Sequence, residues 1–179
     1  MIQFCSQCGA PTAQRVPEKD TYLRAVCTHC DHIHYENPRL VVGCVAEWEG
    51  RILLCRRAIE PRHGFWTLPA GFMENQETTA EAAARETLEE ACARVLIDAP
   101  FALVNISHIG QVHLFYRGRM LDGEFAAGEE SLETALFRSE DIPWDDLAFR
   151  SVDFCLRRYL EDRVDQRFGF HTTDYQPLA

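Results

Sequence analysis

Two closely spaced cysteine pairs, Cys5-Ser-Gln-Cys8 and Cys27-Thr-His-Cys30, stand eighteen residues apart near the start of the chain. The spacing C-x2-C-x18-C-x2-C falls within the zinc-ribbon pattern. Each pair lets two thiolates reach one ion from a tight knuckle, and two knuckles complete a closed tetrahedral S4 site. A closed site leaves no coordination position for a reactant, so the expected Zn2+ is structural. A segment under ~40 residues has too little interior to fold on burial alone, and metal binding would supply its folding free energy. A redox dithiol and two disulfides are the competing readings. Met1-Ile2-Gln3-Phe4-Cys5 has neither a basic nor an apolar stretch, so no export signal is expected and thiols or metal ligands are favoured over disulfides. His29, His32 and His34 lie among the cysteines, but none is needed when four thiolates are present. Cys44, Cys55, Cys92 and Cys155 are scattered and read as small core residues.

The rest of the 179 residues, with 46% of the whole chain hydrophobic, suffices for one further domain of ordinary size. No apolar run approaches the ~20 residues of a membrane span, so no membrane partner and a cytoplasmic location are expected. The net charge of −10 opposes bulk attraction to nucleic acid or anionic lipid, and no nucleic-acid partner is expected. A small anionic substrate stays open, because a local basic cluster or a metal ion reverses the field at one site.

Asn37-Pro38 closes the ribbon at residues 1–37. Leu40–Trp48 and Arg51–Cys55 around Glu49-Gly50 read as a hairpin, and residues 60–72 as a loop rich in Pro, Gly and aromatics. Strong helix formers run from Thr78 to Cys92, with Thr78 or Thr79 as N-cap. Strands are expected at Arg94–Ile97, Phe101–Ile106, Gln111–Arg119 and Leu132–Phe137. A second helix from Arg150 to Val164 would bury Val152, Cys155, Leu156, Tyr159 and Leu160. The polar tail at 166–179 shows no pattern. The order predicts an α+β domain over 38–165.

The first helix carries the chemistry. At 100° per residue, Ala80, Ala84, Thr87, Leu88 and Ala91 share one side, and Glu86, Glu89 and Glu90 the other. Three carboxylates this close repel one another unless something positive pairs with them, and only Arg85 and Arg94 are near in sequence. Hard divalent cations want such oxygen clusters, and Mg2+ is commonly held by carboxylates together with substrate phosphates. On the helix alone, a solvated acidic face and a metal site are equally good readings.

The wider spacing decides between them. Gly71-x5-Glu77-x7-Arg85-Glu86-x2-Glu89-Glu90 resembles the Nudix box, G-x5-E-x7-R-E-U-x-E-E-x-G-U, where U is a bulky apolar residue. Thr87, Cys92 and Ala93 depart from it. Cys92 replaces the final Gly, and its poor fit to a left-handed backbone predicts a differently built helix end. With the ribbon, Tyr35-Glu-Asn-Pro38, Val41-Val-Gly-Cys44, Leu54-Cys55-Arg56-Arg57, Trp66-Thr-Leu-Pro-Ala-Gly71 and Glu130-Ser-Leu-Glu133, the chain resembles the zinc-ribbon branch of the Nudix hydrolases over residues 1–165. Within that branch it is similar to the FAD and ADP-ribose pyrophosphatases, including plant plastid forms. NADH pyrophosphatases carry S-Q-P-W-P-F-P-x-S after the box, and the corresponding Asn105–Val112 lacks it.

The resemblance implies an α/β/α sandwich with a mixed sheet behind the ribbon, and a pyrophosphatase acting on a nucleoside diphosphate-linked compound. FAD or ADP-ribose would give AMP plus FMN or ribose 5-phosphate. Glu86, Glu89 and Glu90 would be the catalytic carboxylates and Mg2+ or Mn2+ ligands, with the Ala70 carbonyl a further ligand. Gly71, Glu77 and Arg85 would support the box, Arg85 bridging to Glu77 or Glu89. The general base stays open among Glu89, Glu129 and Glu130. Arg56 or Arg57 for phosphate, Trp66 for stacking and Glu130 are the candidate substrate contacts. Phe65, Trp66, Phe115 and Tyr116 each read more simply as core packing, and His63, His108 and His113 have no reading of their own. A homodimer is implied. The rivals are a NADH or dinucleotide pyrophosphatase, and a nucleotide-sensing module without turnover.

Overall fold

In the computed structural model, which describes residues 2–176, the first unit, Met1–Asn37, is a three-stranded antiparallel sheet. Strands β1 (Thr12–Arg15) and β2 (Arg24–Cys27) pair from Thr12↔Cys27 to Arg15↔Arg24, and β3 (Ile33–His34) pairs with β2 on its other side. Its buried apolar residues are Cys5, Ala25, Val26 and Cys27. That interior is far too small to fold by burial alone.

The second unit, Pro38–Ala179, is an eight-stranded mixed sheet between two helices. Strands β4 (Arg39–Trp48) and β5 (Arg51–Arg57) form the expected hairpin across Glu49-Gly50. Residues 60–72 contain two short strands: β6 (Trp66–Thr67) on β5 and β7 (Ala70–Phe72) on β4. The Pro and Gly content hid both, since each pairs over only two or three residues. Helix α1 (Thr79–Ala91) follows, capped by Thr78 in a reciprocal box with Glu81. The strands expected at Arg94–Ile97 and Phe101–Ile106 are one strand, β8 (Val95–Ile106). Register irregularities flank Pro100, which cannot donate to the ladder. Strand β9 (Gln111–Met120) pairs antiparallel with β8 and parallel with β4. Strand β10 (Ser131–Phe137) lies on β5, and helix α2 spans Arg150–Asp165. The tail, expected to be patternless, contains strand β11 (His171–Asp174), parallel to β8. The sheet order is β10-β5-β4-β9-β8-β11.

Side chains alternate across this sheet. Val45, Ile52, Leu54, Phe101 and Phe115 pack with Val152, Cys155, Leu156 and Tyr159 of α2. Their neighbours Cys44, Ala46, Leu53 and Cys55 pack on the opposite face, with Ala91 of α1. The result is an α/β/α sandwich. Cys44, Cys55 and Cys155 are core residues as expected; Cys92 is exposed at the end of α1. Among the described residues, no helix is long and apolar enough to cross a membrane.

The buried face of α1 runs between the two sides that the 3.6-residue periodicity separates. Leu88 is exposed, and the buried residues are Ala82, Ala83, Glu86, Thr87, Glu90 and Ala91. Small alanines, rather than the larger Leu88, face the sheet and let the helix approach it closely. Thr87 fits there by donating its hydroxyl to Ala83 O at 2.7 Å, one turn back.

Candidate active site

Glu86 and Glu90 therefore lie on the inward side of α1, 8% and 7% exposed, while Glu89 beside them is exposed. Burial pushes the Glu90 carboxyl up to about 7 and raises Glu86 as well. Ala70 N–H donates to Glu90 Oε2 at 3.1 Å, which brings β7 against the helix. Gly71 is required by close approach: a Cβ there would lie 2.3 Å from Glu86 Oε2.

Arg85 ties the cluster together. Its Nε and Nη2 donate to the two oxygens of Glu77 at 3.0 and 2.7 Å. Nη1 reaches Glu86 Oε1 at 2.7 Å and Glu89 Oε2 at 2.9 Å, and Nη2 also donates to Phe72 O at 3.1 Å. The guanidinium beside Glu77 holds that carboxyl down to about 2, and Glu74 N–H adds a 2.6 Å bond. Arg85 thus bridges both expected partners. One guanidinium already committed to Glu77 leaves Glu86, Glu89 and Glu90 with more negative charge than it offsets. Partly buried and short of positive charge, these carboxylates offer the hard oxygen donors that a divalent cation takes, without converging as tightly as the four cysteines do.

The carboxylates open into a cavity of about 1200 Å³. Arg57, Arg85, Glu129 and Glu130 line it near the helix, with Ala70 and Gly71. Arg57 donates to Pro61 O at 2.8 Å and lies 5.1 Å from the Phe149 ring centroid. Arg56 instead donates to Gly64 O at 2.9 Å and pairs with Glu133 at 3.6 Å, and it does not line the cavity. Nor does Trp66, whose ring packs edge-on against Phe137 at 4.9 Å in the core. Alternation along β5 and the two-residue strand β6 decide both placements. Glu129 and Glu130 are delivered by a loop bonded to the end of α1: Ala126 N–H donates to Ala91 O at 2.9 Å and Gly128 N–H to Glu90 O at 3.0 Å.

Cys92 contradicts the expectation for the helix end. It adopts φ 49°, ψ 23°, the left-handed cap that Gly usually supplies, and its N–H donates to Leu88 O at 2.9 Å. The loop bonds just described hold the terminus in place against that local cost.

The rest of the cavity lining was not legible in the sequence. It includes Ile106, His108, Gln111, His113, the start of α2 at Phe149–Ser151, and Tyr175 after β11. Two β-branched threonines in His171–Asp174 were the available signal, and the four-residue length of β11 hid it.

In the ribbon, Cys5, Cys8, Cys27 and Cys30 bring their sulfurs within 4.8 Å of one another. Three of the separations are 3.8, 3.5 and 3.5 Å. A tetrahedron of ~2.3 Å Zn–S bonds has edges of ~3.8 Å, so the set fits zinc. Cys30 and His29 N–H groups point at Cys27 Sγ at 3.3 and 3.4 Å and hold that thiol down to about 6.

Comparisons with known proteins agree with this architecture. The NUDIX domain family model matches residues 37–154, and the Nudix N-terminal model residues 3–36. The crystal structure of a NUDIX hydrolase from Nitrosomonas europaea superposes with a TM-score of 0.92 at 49% identity, covering 97% of this chain and 100% of that one. A NAD-capped RNA hydrolase NudC from Salmonella heidelberg is 36% identical over 171 residues, which are 90% of this chain and 60% of the relative. Its counterpart from Haemophilus influenzae is 30% identical over 79% of this chain and 50% of the relative. The chain thus spans 50–60% of the length of these curated relatives. An ADP-ribose pyrophosphatase from Streptococcus suis shares the fold, with a TM-score of 0.61 at 22% identity, over 76% of this chain and 100% of that one.

Proposed function

The chain belongs to the NUDIX domain family, with that family's N-terminal ribbon ahead of the domain, and from that premise we propose that it hydrolyses the diphosphate bond of a nucleoside diphosphate-linked compound, releasing AMP. The single observation behind this reading is the inward cluster of Glu86 and Glu90 with Glu89, facing one cavity that also holds Arg57 and Arg85. In this reading Glu86, Glu89 and Glu90 hold Mg2+ or Mn2+, with Ala70 O as a further ligand. When bound, the ion neutralises the diphosphate and lowers the pKa of the attacking water.

The protein's own groups do the rest. Arg85, spread over Glu77, Glu86 and Glu89, keeps the carboxylates in register. Arg57 faces the diphosphate from β5. Glu129 and Glu130 stand on the loop beside Glu90 and join Glu89 as candidates to take the proton of water. In the ribbon, Cys5, Cys8, Cys27 and Cys30 hold one Zn2+ as a structural ion.

FAD and ADP-ribose are the first candidate substrates, because Asn105–Val112 lacks the signature of NADH pyrophosphatases. NAD(H) is the second reading, favoured by the 36% identity to a protein named as a NAD-capped RNA hydrolase. That name also bears on the expectation of no nucleic-acid partner, so a capped RNA belongs in the test. Hydrolysis of FAD, ADP-ribose, NADH, NAD+ and a NAD-capped RNA at equal concentration, with and without Mg2+, separates these readings. A tenfold lead, about 1.4 kcal/mol of discrimination, assigns the substrate. Glu90→Gln is expected to lower Mg2+-dependent turnover at least ~100-fold with unchanged circular dichroism; wild-type turnover in that variant would remove the carboxylates from the site.

A further inference from the structure

The cavity is also lined by Tyr175, directly after β11, and both lie outside the residues 37–154 matched by the NUDIX domain model. This strand is firmly held. It pairs with β8 from His171↔Ala102 to Asp174↔Asn105, and Tyr175 N–H extends the ladder to Asn105 O at 2.8 Å. Asn105 Nδ2 donates to Asp174 Oδ1 at 2.7 Å, and His171 Nε2 lies 2.8 Å from Asp162 Oδ2 of α2. Tyr175 is thereby delivered to the cavity at a fixed point rather than on a loose end.

Its ring meets the start of α2. The Arg150 guanidinium lies 4.2 Å from the Tyr175 centroid, and Tyr175 donates its hydroxyl to Arg150 O at 3.1 Å. Helix α2 has no side-chain N-cap. Its first turn is pinned from the sheet instead: Ser151 Oγ is 3.1 Å from His113 Nδ1, and His113 Nε2 is 3.0 Å from Gln111 Oε1. With Gln111 Oε1 accepting, the ring carries its proton on Nε2 and accepts from Ser151 on Nδ1. Burial holds His113 neutral, with its pKa pushed down to about 4. Phe149, next to Arg150 in the chain, also lines the cavity, with the Arg57 guanidinium 5.1 Å from its ring centroid.

Arg57, Phe149, Arg150 and Tyr175 thus line the same cavity as the carboxylates and form a connected run of flat cationic and aromatic surfaces. A diphosphate at the carboxylates needs a resting place for the planar ring it carries, and a surface of this kind recognises any base through its π face. We propose that Tyr175, presented by β11 and backed by Arg150, is the binding surface for the base of the nucleotide substrate. The inference rests on the pyrophosphatase reading and adds a binding residue to it.

The test uses the full chain, loaded with Zn2+ and Mg2+, and the best substrate of the wild type. Tyr175→Ala and Tyr175→Leu are expected to raise KM and the inhibition constant of AMP by about 5- to 100-fold, the range of one lost base–aromatic stack. Turnover at saturation stays within about twofold, and Tyr175→Phe, which keeps the ring, stays near wild type. Inhibition by ribose 5-phosphate, which has no base, is unchanged in all three. Unchanged AMP inhibition in the Ala and Leu variants overturns the proposal. So does equal weakening of AMP and ribose 5-phosphate, the mark of a merely structural role. If the wild type turns over nothing, the pyrophosphatase reading fails by itself, and calorimetric binding of AMP to wild type and variants still decides whether Tyr175 holds a base.

Discussion

At Cys92 an ordinary side chain occupies a left-handed backbone conformation, with φ 49°. Such a conformation costs a non-glycine residue ~1–2 kcal/mol, and the exposed thiol recovers little by packing. Cys92→Gly, partly offset by the entropy glycine loses on folding, is expected to stabilise the protein by about 0.5–1 kcal/mol. In a chain of this size that raises Tm by about 1–4 °C, which differential scanning calorimetry measures; a lower Tm would show that the thiol contributes a contact. The motif departures at Thr87 and Cys92 were readable, but their consequences were not. Thr87 meets its own helix backbone, and the residues just before Cys92, Ala91 and Glu90, accept bonds from Ala126 and Gly128, far along the chain. Gly71 is the converse case. Its place in the motif was plain, and only the structure supplies the reason, a carboxylate where a Cβ would stand.

Among the elements, α1 and the loop behind it act as one part. A Cβ on Gly128 would fall 1.8 Å from Glu89 O and 3.1 Å from Glu90 Cα, so no larger residue fits without separating the loop from the helix. Gly128→Ala is expected to displace Glu129 and Glu130 and to lower kcat by roughly 10- to 100-fold, the usual cost of a misplacement near 1 Å. The concentration of Mg2+ giving half-maximal rate should change much less. Stopped-flow single turnovers across a Mg2+ titration separate the two effects; an unaltered kcat would dissociate the loop from catalysis. The helices themselves were legible to within two residues, because capping and 3.6-residue periodicity are local signals. The two-residue β6 and four-residue β11 were not, since their existence depends on partners far along the chain.

For the whole molecule, the two units draw on different sources of stability. The second has extensive apolar layers on both faces of its sheet, whereas the first buries little beyond Cys5, Ala25, Val26 and Cys27. Stripping zinc with a strong chelator is expected to release hydrogen-exchange protection throughout the ribbon strands while β4, β8 and β9 stay protected. Full protection of β2 without zinc would mean that the ribbon is held by something other than its metal. The division between ribbon and sandwich was visible because cysteine spacing and the Nudix box are each compact in sequence. The rest of the cavity lining was not, because much of it comes from β9, α2 and the end of β11, none of which carries a recognisable motif. One consequence concerns how such a protein is free to change. Glu86 and Glu90 share the inward face of α1 with Ala82, Ala83 and Ala91, so the packing of that helix and the carboxylates proposed to hold metal are machined on the same shaft. Enlarging an alanine there is expected to rotate or lift those carboxylates, so that under the proposed function turnover suffers before the fold does. Adaptation to heat or cold has freer rein on the opposite layer, around Cys155, Leu156 and Tyr159, where the packing carries no reactive group.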